Sequence, residues 1–214
     1  MAAPPSKTLK DFNGQWSLVS PQTTPSVGAP NPAHQAAQNK SLSDSVEPVL
    51  ALQGVGFLTR KAVAMASITL DVKCYEGAAS PPSESKDPVT HIEIVQTASK
   101  LSSTTEHRCL DFVFREHSDW LFGNVKGRSR WIHAAEVDDA FLAKGWEEGD
   151  AEAVGPDGET HLLSHAVSLD RDWTVKQIWG FQVVDGARRY ARNIVATTET
   201  GDRAEIRLLY DYVS

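Results

Sequence analysis

Asp11-Phe12-Asn13-Gly14-Gln15-Trp16-Ser17-Leu18-Val19 and Leu52-Gln53-Gly54-Val55-Gly56-Phe57-Leu58-Thr59-Arg60-Lys61 decide how the rest of the chain is read. The first opens a strand in which Gly14 lets the backbone pass close beneath a large ring. Two residues on, Trp16 plugs a hydrophobic space. The second reads as two short helices meeting at a Gly-Val-Gly hinge. Val46, Val49, Leu50, Leu52 and Val55 recur at helical spacing behind the cap-forming run Ser43-Asp44-Ser45, and Phe57 to Met65 supplies the second helix.

From Ala66 onward the period changes to two. Ile68, Leu70, Val72 and Cys74 alternate with Ser67, Thr69, Asp71 and Lys73, the pattern of a half-buried strand. Further strands are expected over Val89–Thr97, Thr104–Glu116 (with Arg108, Leu110, Phe112 and Phe114 on one face), Asn124–Ile132, His161–Ser168, Trp173–Val184, Arg188–Thr197 and Ala204–Val213. Val137–Trp146 reads as a short helix. Residues 21–40, 77–88 and 147–159 read as surface loops. Short strands without long helices between them imply an antiparallel sheet, and closure into an up-and-down barrel is the economical way to remove its edges. The expected fold is therefore all-β: an up-and-down barrel of about nine to ten strands under a helix-turn-helix lid, as one domain over residues 1–214.

In this order the two motifs resemble the start of the intracellular fatty-acid-binding proteins. Those proteins open on a Gly-x-Trp strand and carry a similar Gly-Val-Gly-Phe-x-Thr-Arg run in their lid; the related lipocalins share the Gly-x-Trp signal. The resemblance implies a calycin-type barrel around a ligand cavity. Leu209-Tyr210-Asp211-Tyr212-Val213 extends it weakly to the last strand, whereas the Trp120–Trp131 block departs from it. In the family an Arg-x-Tyr pair on the last strand clamps a carboxylate. Aligned on Tyr210, this chain has Leu208 in the Arg position, and Arg207 falls on the opposite face. Arg192, on the neighbouring strand, is the candidate substitute. In this combination the chain looks like a divergent relative, similar to lipocalin-like proteins of filamentous fungi.

Composition narrows the partners. A net charge of −7 supplies no basic field for nucleic acid and disfavours stable attachment to anionic membranes. No apolar run approaches the ~20 residues that span a bilayer. The first residues, Met1-Ala-Ala-Pro-Pro-Ser-Lys-Thr, lack the apolar core of a secretory signal, and Cys74 and Cys109 are expected as free thiols. A cytoplasmic location is the expectation.

No motif here requires a metal or cofactor. Gly54-Val55-Gly56 lacks the third glycine of a dinucleotide fingerprint and follows a helix instead of a strand. On a strand His161 and His165 lie about 13 Å apart, too far to share a zinc ion. His117-Ser118-Asp119 holds the residue types of a hydrolytic triad, but adjacent positions cannot assemble that geometry.

Large rings interrupted by isolated polar groups suit an apolar pocket wall with a few orienting contacts. The candidate wall and contact residues are Phe112, Phe114, Trp131, Gln177, Trp179, Phe181, Tyr190, Arg192 and Tyr210, with Gly54, Gly56 and Phe57 in the lid. The leading expectation is a carrier that holds a small hydrophobic or aromatic metabolite. The alternative is a cofactor-free cyclase or isomerase, such as a Diels–Alderase-like pericyclase of secondary metabolism, using the same pocket. A third reading is an interaction module whose barrel is filled with side chains.

Overall fold

Ten antiparallel strands follow one another along the chain: β1 (Gly14–Leu18), β2 (Ile68–Ala78), β3 (Pro88–Ala98), β4 (Ser102–Cys109), β5 (Arg115–Asp119), β6 (Gly123–Ile132), β7 (His161–Ser168), β8 (Trp173–Val184), β9 (Ala187–Thr198) and β10 (Arg203–Tyr212). This computed structural model describes residues 1–19, 42–99, 102–149 and 151–214; the loop expected at 21–40 lies outside them. Two helices, α1 (Glu47–Leu52) and α2 (Phe57–Met65), sit between β1 and β2. The sheet order is β4-β3-β2-β1-β10-β9-β8-β7-β6-β5. Every neighbour is sequential except β1 and β10, whose pairing brings the ends of the chain together. The sheet curls into a half-barrel that fits a calycin-like fold.

Each strand turns its even or odd residues inward, and the register carries the choice across the sheet. Leu70 and Val72, Ile92 and Ile94, Trp131, Trp173, Val175, Trp179, Ile194 and Ile206 form one interior cluster. One end is sealed by the opening motif. Trp16 is fully buried, its indole N–H donates to the Phe12 carbonyl at 2.9 Å, and its ring meets those of Phe181, Tyr190 and Tyr212. Gly14 holds φ at +120°, and a Cβ there would lie 2.4 Å from the Ser214 carbonyl oxygen and 3.1 Å from the Tyr212 ring. Arg188 locks this floor by donating to the Pro4 and Lys7 carbonyls while pairing with Glu147 and Glu152. The 147–159 loop is thereby tied down at its near end.

The segment read as one strand over Thr104–Glu116 is two. Asp111 accepts from the Val113 amide, Arg115 grips both Asp111 oxygens, and Phe112 adopts φ +60°, so the chain turns and β5 begins anew. The Arg115 guanidinium also binds the Ser80 and Pro81 carbonyls, joining this turn to the β2–β3 loop. At the floor end the seam between the sheet edges is stitched by the Phe112 amide on the Ser129 carbonyl (2.9 Å) and by the Trp131 indole on Thr90 Oγ1 (3.2 Å). Toward the lid β4 and β5 do not pair.

Ser43 and Asp44 do not cap α1. They satisfy the stretch of β10 that β1 leaves uncovered, at the backbone of Leu209 and Arg207 respectively, while Ser45 Oγ accepts from the Glu47 amide at the start of α1. The expected helix over Val137–Trp146 is also absent. This stretch is a strap across the outer face of β7–β9, held by Asn193, whose amide donates to the carbonyls of Phe141, Leu142 and Lys144. Ile132, Leu142, Ile178 and Val195 make a second core beneath it. A helix would have turned those carbonyls inward to its own ladder.

Under the strap, fully buried His161 lies against Trp146 (ring centroids 5.1 Å apart), with neither ring nitrogen hydrogen-bonded. Burial pushes its pKa down to about 4. The folded chain therefore resists protonating a ring that the unfolded chain protonates near 6.5, and stability present above that pH is lost as pH falls toward 4. Between pH 7.5 and 5 His161 should account for about 2 kcal/mol of lost stability. Urea unfolding of His161→Phe at both pH values should show that much less pH dependence; equal slopes for variant and parent would contradict the assignment.

Candidate functional site

The floor leaves the middle of the half-barrel to a group of polar residues set among rings. Trp179 and Arg192 are opposite in the β8–β9 register, and Tyr190 and Tyr210 are opposite in β9–β10, so all four project inward. The Arg192 guanidinium stacks on the Trp179 ring at 4.1 Å and lies 5.5 Å from the rings of Tyr190 and Tyr210. Its Nε donates to the Tyr190 hydroxyl at 2.8 Å, while its buried Nη2 has no hydrogen-bond partner among the described residues. Burial works against this cation; the Trp179 face, the Tyr190 hydroxyl and the Glu106 carboxylate support it, and the guanidinium stays charged.

Glu106 was not among the candidates. Ile94 lies opposite Glu106, and Ile92 opposite Arg108, so both charged groups share the inward face of those isoleucines. Arg108 donates to Glu106 at 2.9 Å, and its guanidinium lies 5.9 Å from the Trp179 ring. Glu106 keeps 37% of its side-chain surface accessible on this inward face. Burial raises its pKa, but Arg108 and then Arg192 overcome that and hold the carboxyl below its ordinary value, with His117 of β5 adding to the effect across the seam. Glu106 and Arg192 make no ion pair within 4 Å, so the interior holds two guanidiniums and one carboxylate with a gap between unlike charges.

Two more donors accompany them. Gln177 is half-buried on the same face of β8; its Oε1 accepts from the Trp179 indole at 2.9 Å, and its NH2 makes no hydrogen bond among the described residues. The Tyr210 hydroxyl makes no hydrogen bond among the described residues, and burial above all raises its pKa, keeping it a neutral donor. This inward face can therefore offer N–H and O–H donors to a carbonyl or enolate oxygen beside a flat aromatic wall.

The candidate residues divide. Gln177, Trp179, Arg192 and Tyr210 come together here, with Trp131 nearer the stitched seam. Tyr190 and Phe181 join the floor, where their rings meet Trp16. Phe112 and Phe114 stand on the outer face, packed on Arg128 with its guanidinium carbon 3.9 and 4.3 Å from their ring centres. They cannot line the interior from there. The signal for Glu106 was its parity with Arg108, two residues away on the same strand face.

The lid is held more firmly than a hinge reading implies. α1 packs Val49 into the interior cluster and lies along β9 and β10. Gly54 ends it at φ +76°: its amide donates to the Ala51 carbonyl, and the Val55 amide to that of Leu50, a glycine-terminated helix cap. Arg171, from the β7–β8 turn, donates to the Gln53 carbonyl at 2.6 Å and fills the space a Gly54 side chain would need. Gly56 has open space around it, and Phe57 is 58% exposed between Arg60 and Lys61. Phe57 thus faces away from the hollow.

The charge coupling can be checked without a ligand. Replacing Arg192 with Leu removes one of the two cations holding Glu106 ionised, so carboxyl-carbon NMR titration should show the Glu106 pKa moving up. An unmoved titration would separate the two residues.

No family model matches the chain. Among curated proteins it is 30% identical to "Probable pericyclase scpY" of Mollisia scopiformis, over 99% of this chain and 95% of that protein. It is 28% identical to "Pericyclase pydY" of Acremonium sp, over 100% of this chain and 97% of that protein. Similarity of this depth along both full lengths covers the floor motif, the lid and every strand that supplies the hollow, and the chain belongs to the family of these pericyclase-named proteins.

Proposed function

We propose that the chain is a cofactor-independent pericyclase that closes a ring in a small hydrophobic substrate folded inside the half-barrel. The observation that carries this reading is the buried, incompletely partnered Arg192 above Trp179, in a chain whose full-length relatives are named pericyclases. A pericyclic step moves electrons around a closed array of the substrate's own bonds. It asks the protein for no nucleophile or proton transfer, only for a folded reactant and a shifted electron demand.

Trp179 and Trp131 provide flat wall against which an extended unsaturated chain is pressed into a reactive conformer. Donors from Arg192, Tyr210 and Gln177 bind a carbonyl oxygen conjugated with one reacting π-bond, withdrawing electron density as the ring forms. Glu106 holds the cations in register and accepts from any O–H or N–H beside that carbonyl. The carrier reading needs the same hollow but no chemistry, and the relatives' names favour the cyclase. The half-exposed Glu106 and Gln177 speak against a barrel filled by its own side chains. Descent from the calycins, with Arg192 in place of the missing carboxylate clamp, belongs to the same proposal.

Native mass spectrometry and chromatography of the protein incubated with extract of its source organism test this. A bound molecule released as an isomer of equal mass is the expected result, with Arg192→Leu or Tyr210→Phe slowing conversion by up to roughly a hundredfold in a folded protein. A ligand recovered unchanged would establish the carrier instead.

A further inference from the structure

The outer face of β6–β8 carries a row of basic groups that ring closure leaves unused. Register sets Arg128 opposite His165 and His165 opposite Lys176, with Lys126 next along the same face of β6. Arg128 is fixed against Phe112 and Phe114, and its Nε donates to His165 Nδ1 at 3.3 Å. That is its one hydrogen bond among the described residues, so the terminal nitrogens project from the ring stack unpaired. Because Nδ1 accepts, the His165 proton resides on Nε2, which is then a further donor.

The acids nearby do not neutralise this row. Among the described residues no carboxylate lies within 4 Å of Lys126, Arg128 or Lys176. Glu116 stands opposite Lys126 in register without pairing, and Glu136 is taken by Arg130. Burial first, then Arg128, Lys176 and Lys126, hold the His165 pKa down to about 4. Clustered uncompensated cations in a chain of net charge −7 represent a local electrostatic cost that an anion would relieve.

We propose that Arg128, His165 and Lys176 form a binding site for a tetrahedral oxyanion, the phosphate or sulfate of a small molecule, on the outside of the barrel. Arg128 presents two N–H groups edge-on, a geometry suited to paired oxygens, and Lys176 supplies a mobile second charge. A shallow hollow bounded by Pro81, Pro82, Phe114, Arg115 and Glu116 opens beside the stack and gives space to the organic part of an ester. An anion seated here accepts from His165 Nε2–H while Nδ1 keeps its bond from Arg128, so the ring stays neutral on binding.

The test is histidine-ring NMR at pH 6 and constant ionic strength, titrating sodium sulfate in one arm and phenyl phosphate in the other. Saturable shifts of the His165 ring resonances are expected, while His161 beneath the strap stays fixed. Lys176→Gln and Arg128→Gln should each weaken binding about tenfold. The exposed lysine variant keeps the test valid if loss of the Arg128 stack disturbs folding. Tighter binding of phenyl phosphate assigns the site to an ester; equal affinity assigns it to the bare ion. Shifts that grow linearly with salt, or equal affinity in the Lys176 variant, overturn the proposal.

Discussion

A guanidinium inside an apolar barrel is the constraint around which this molecule is arranged. Arg192 is 6% exposed, and a buried cation is tolerated only where dipoles, ring faces or opposite charge replace the lost water. Trp179 gives it a ring face, Tyr190 an oxygen, and Glu106 a compensating charge. Each partner comes from a different strand or a different position, so the sheet must keep its curl to satisfy them together. The same requirement opposes a solid interior. An ion that is only partly compensated keeps the space beside it polar, while the rings around it keep that space narrow.

The floor and the hollow divide the aromatic residues between two kinds of work. Trp16, Phe12, Phe181 and Tyr190 pack ring against ring and seal one end of the sheet. Trp179, one inward position along β8 from Phe181, has its indole nitrogen fixed by Gln177 and turns a face to Arg192. A step of two residues along a strand, about 7 Å, separates packing from recognition.

Much of this was legible in the chain. Gly14 and Trp16 stated the floor, the Gly-Val-Gly run stated the helix pair, and strict alternation from Ile68 stated a one-sided strand. The spacing put Trp173, Val175, Gln177, Trp179 and Phe181 on one face of β8, but which face turns inward was not readable, because both carry apolar groups. Reading failed where local pattern and tertiary setting part. Phe112 and Phe114 fit an alternating strand, but Arg115 and Asp111 impose a turn between them and β5, which delivers both rings to the outside. The strap could not be seen because Asn193, distant in sequence, supplies the donors that hold it. Glu106, between Thr105 and His107 in a polar stretch, carries no local sign of facing inward; only the β3–β4 register reveals that Ile94 shares its face.

The seam has a consequence for what the barrel can hold. It is stitched beside the floor by backbone and side-chain hydrogen bonds, whereas toward the lid β4 and β5 make no strand pairing with each other. A sheet knitted all the way round has a girth fixed by strand number and stagger. One that is left unlaced at the mouth can widen there by flexing two strands, with no ladder hydrogen bond broken and the floor undisturbed. Glu106 and Arg108 ride on one of those strands. The breadth of the mouth and the position of the interior carboxylate are therefore a single mechanical variable, and a bulky guest would set both as it enters.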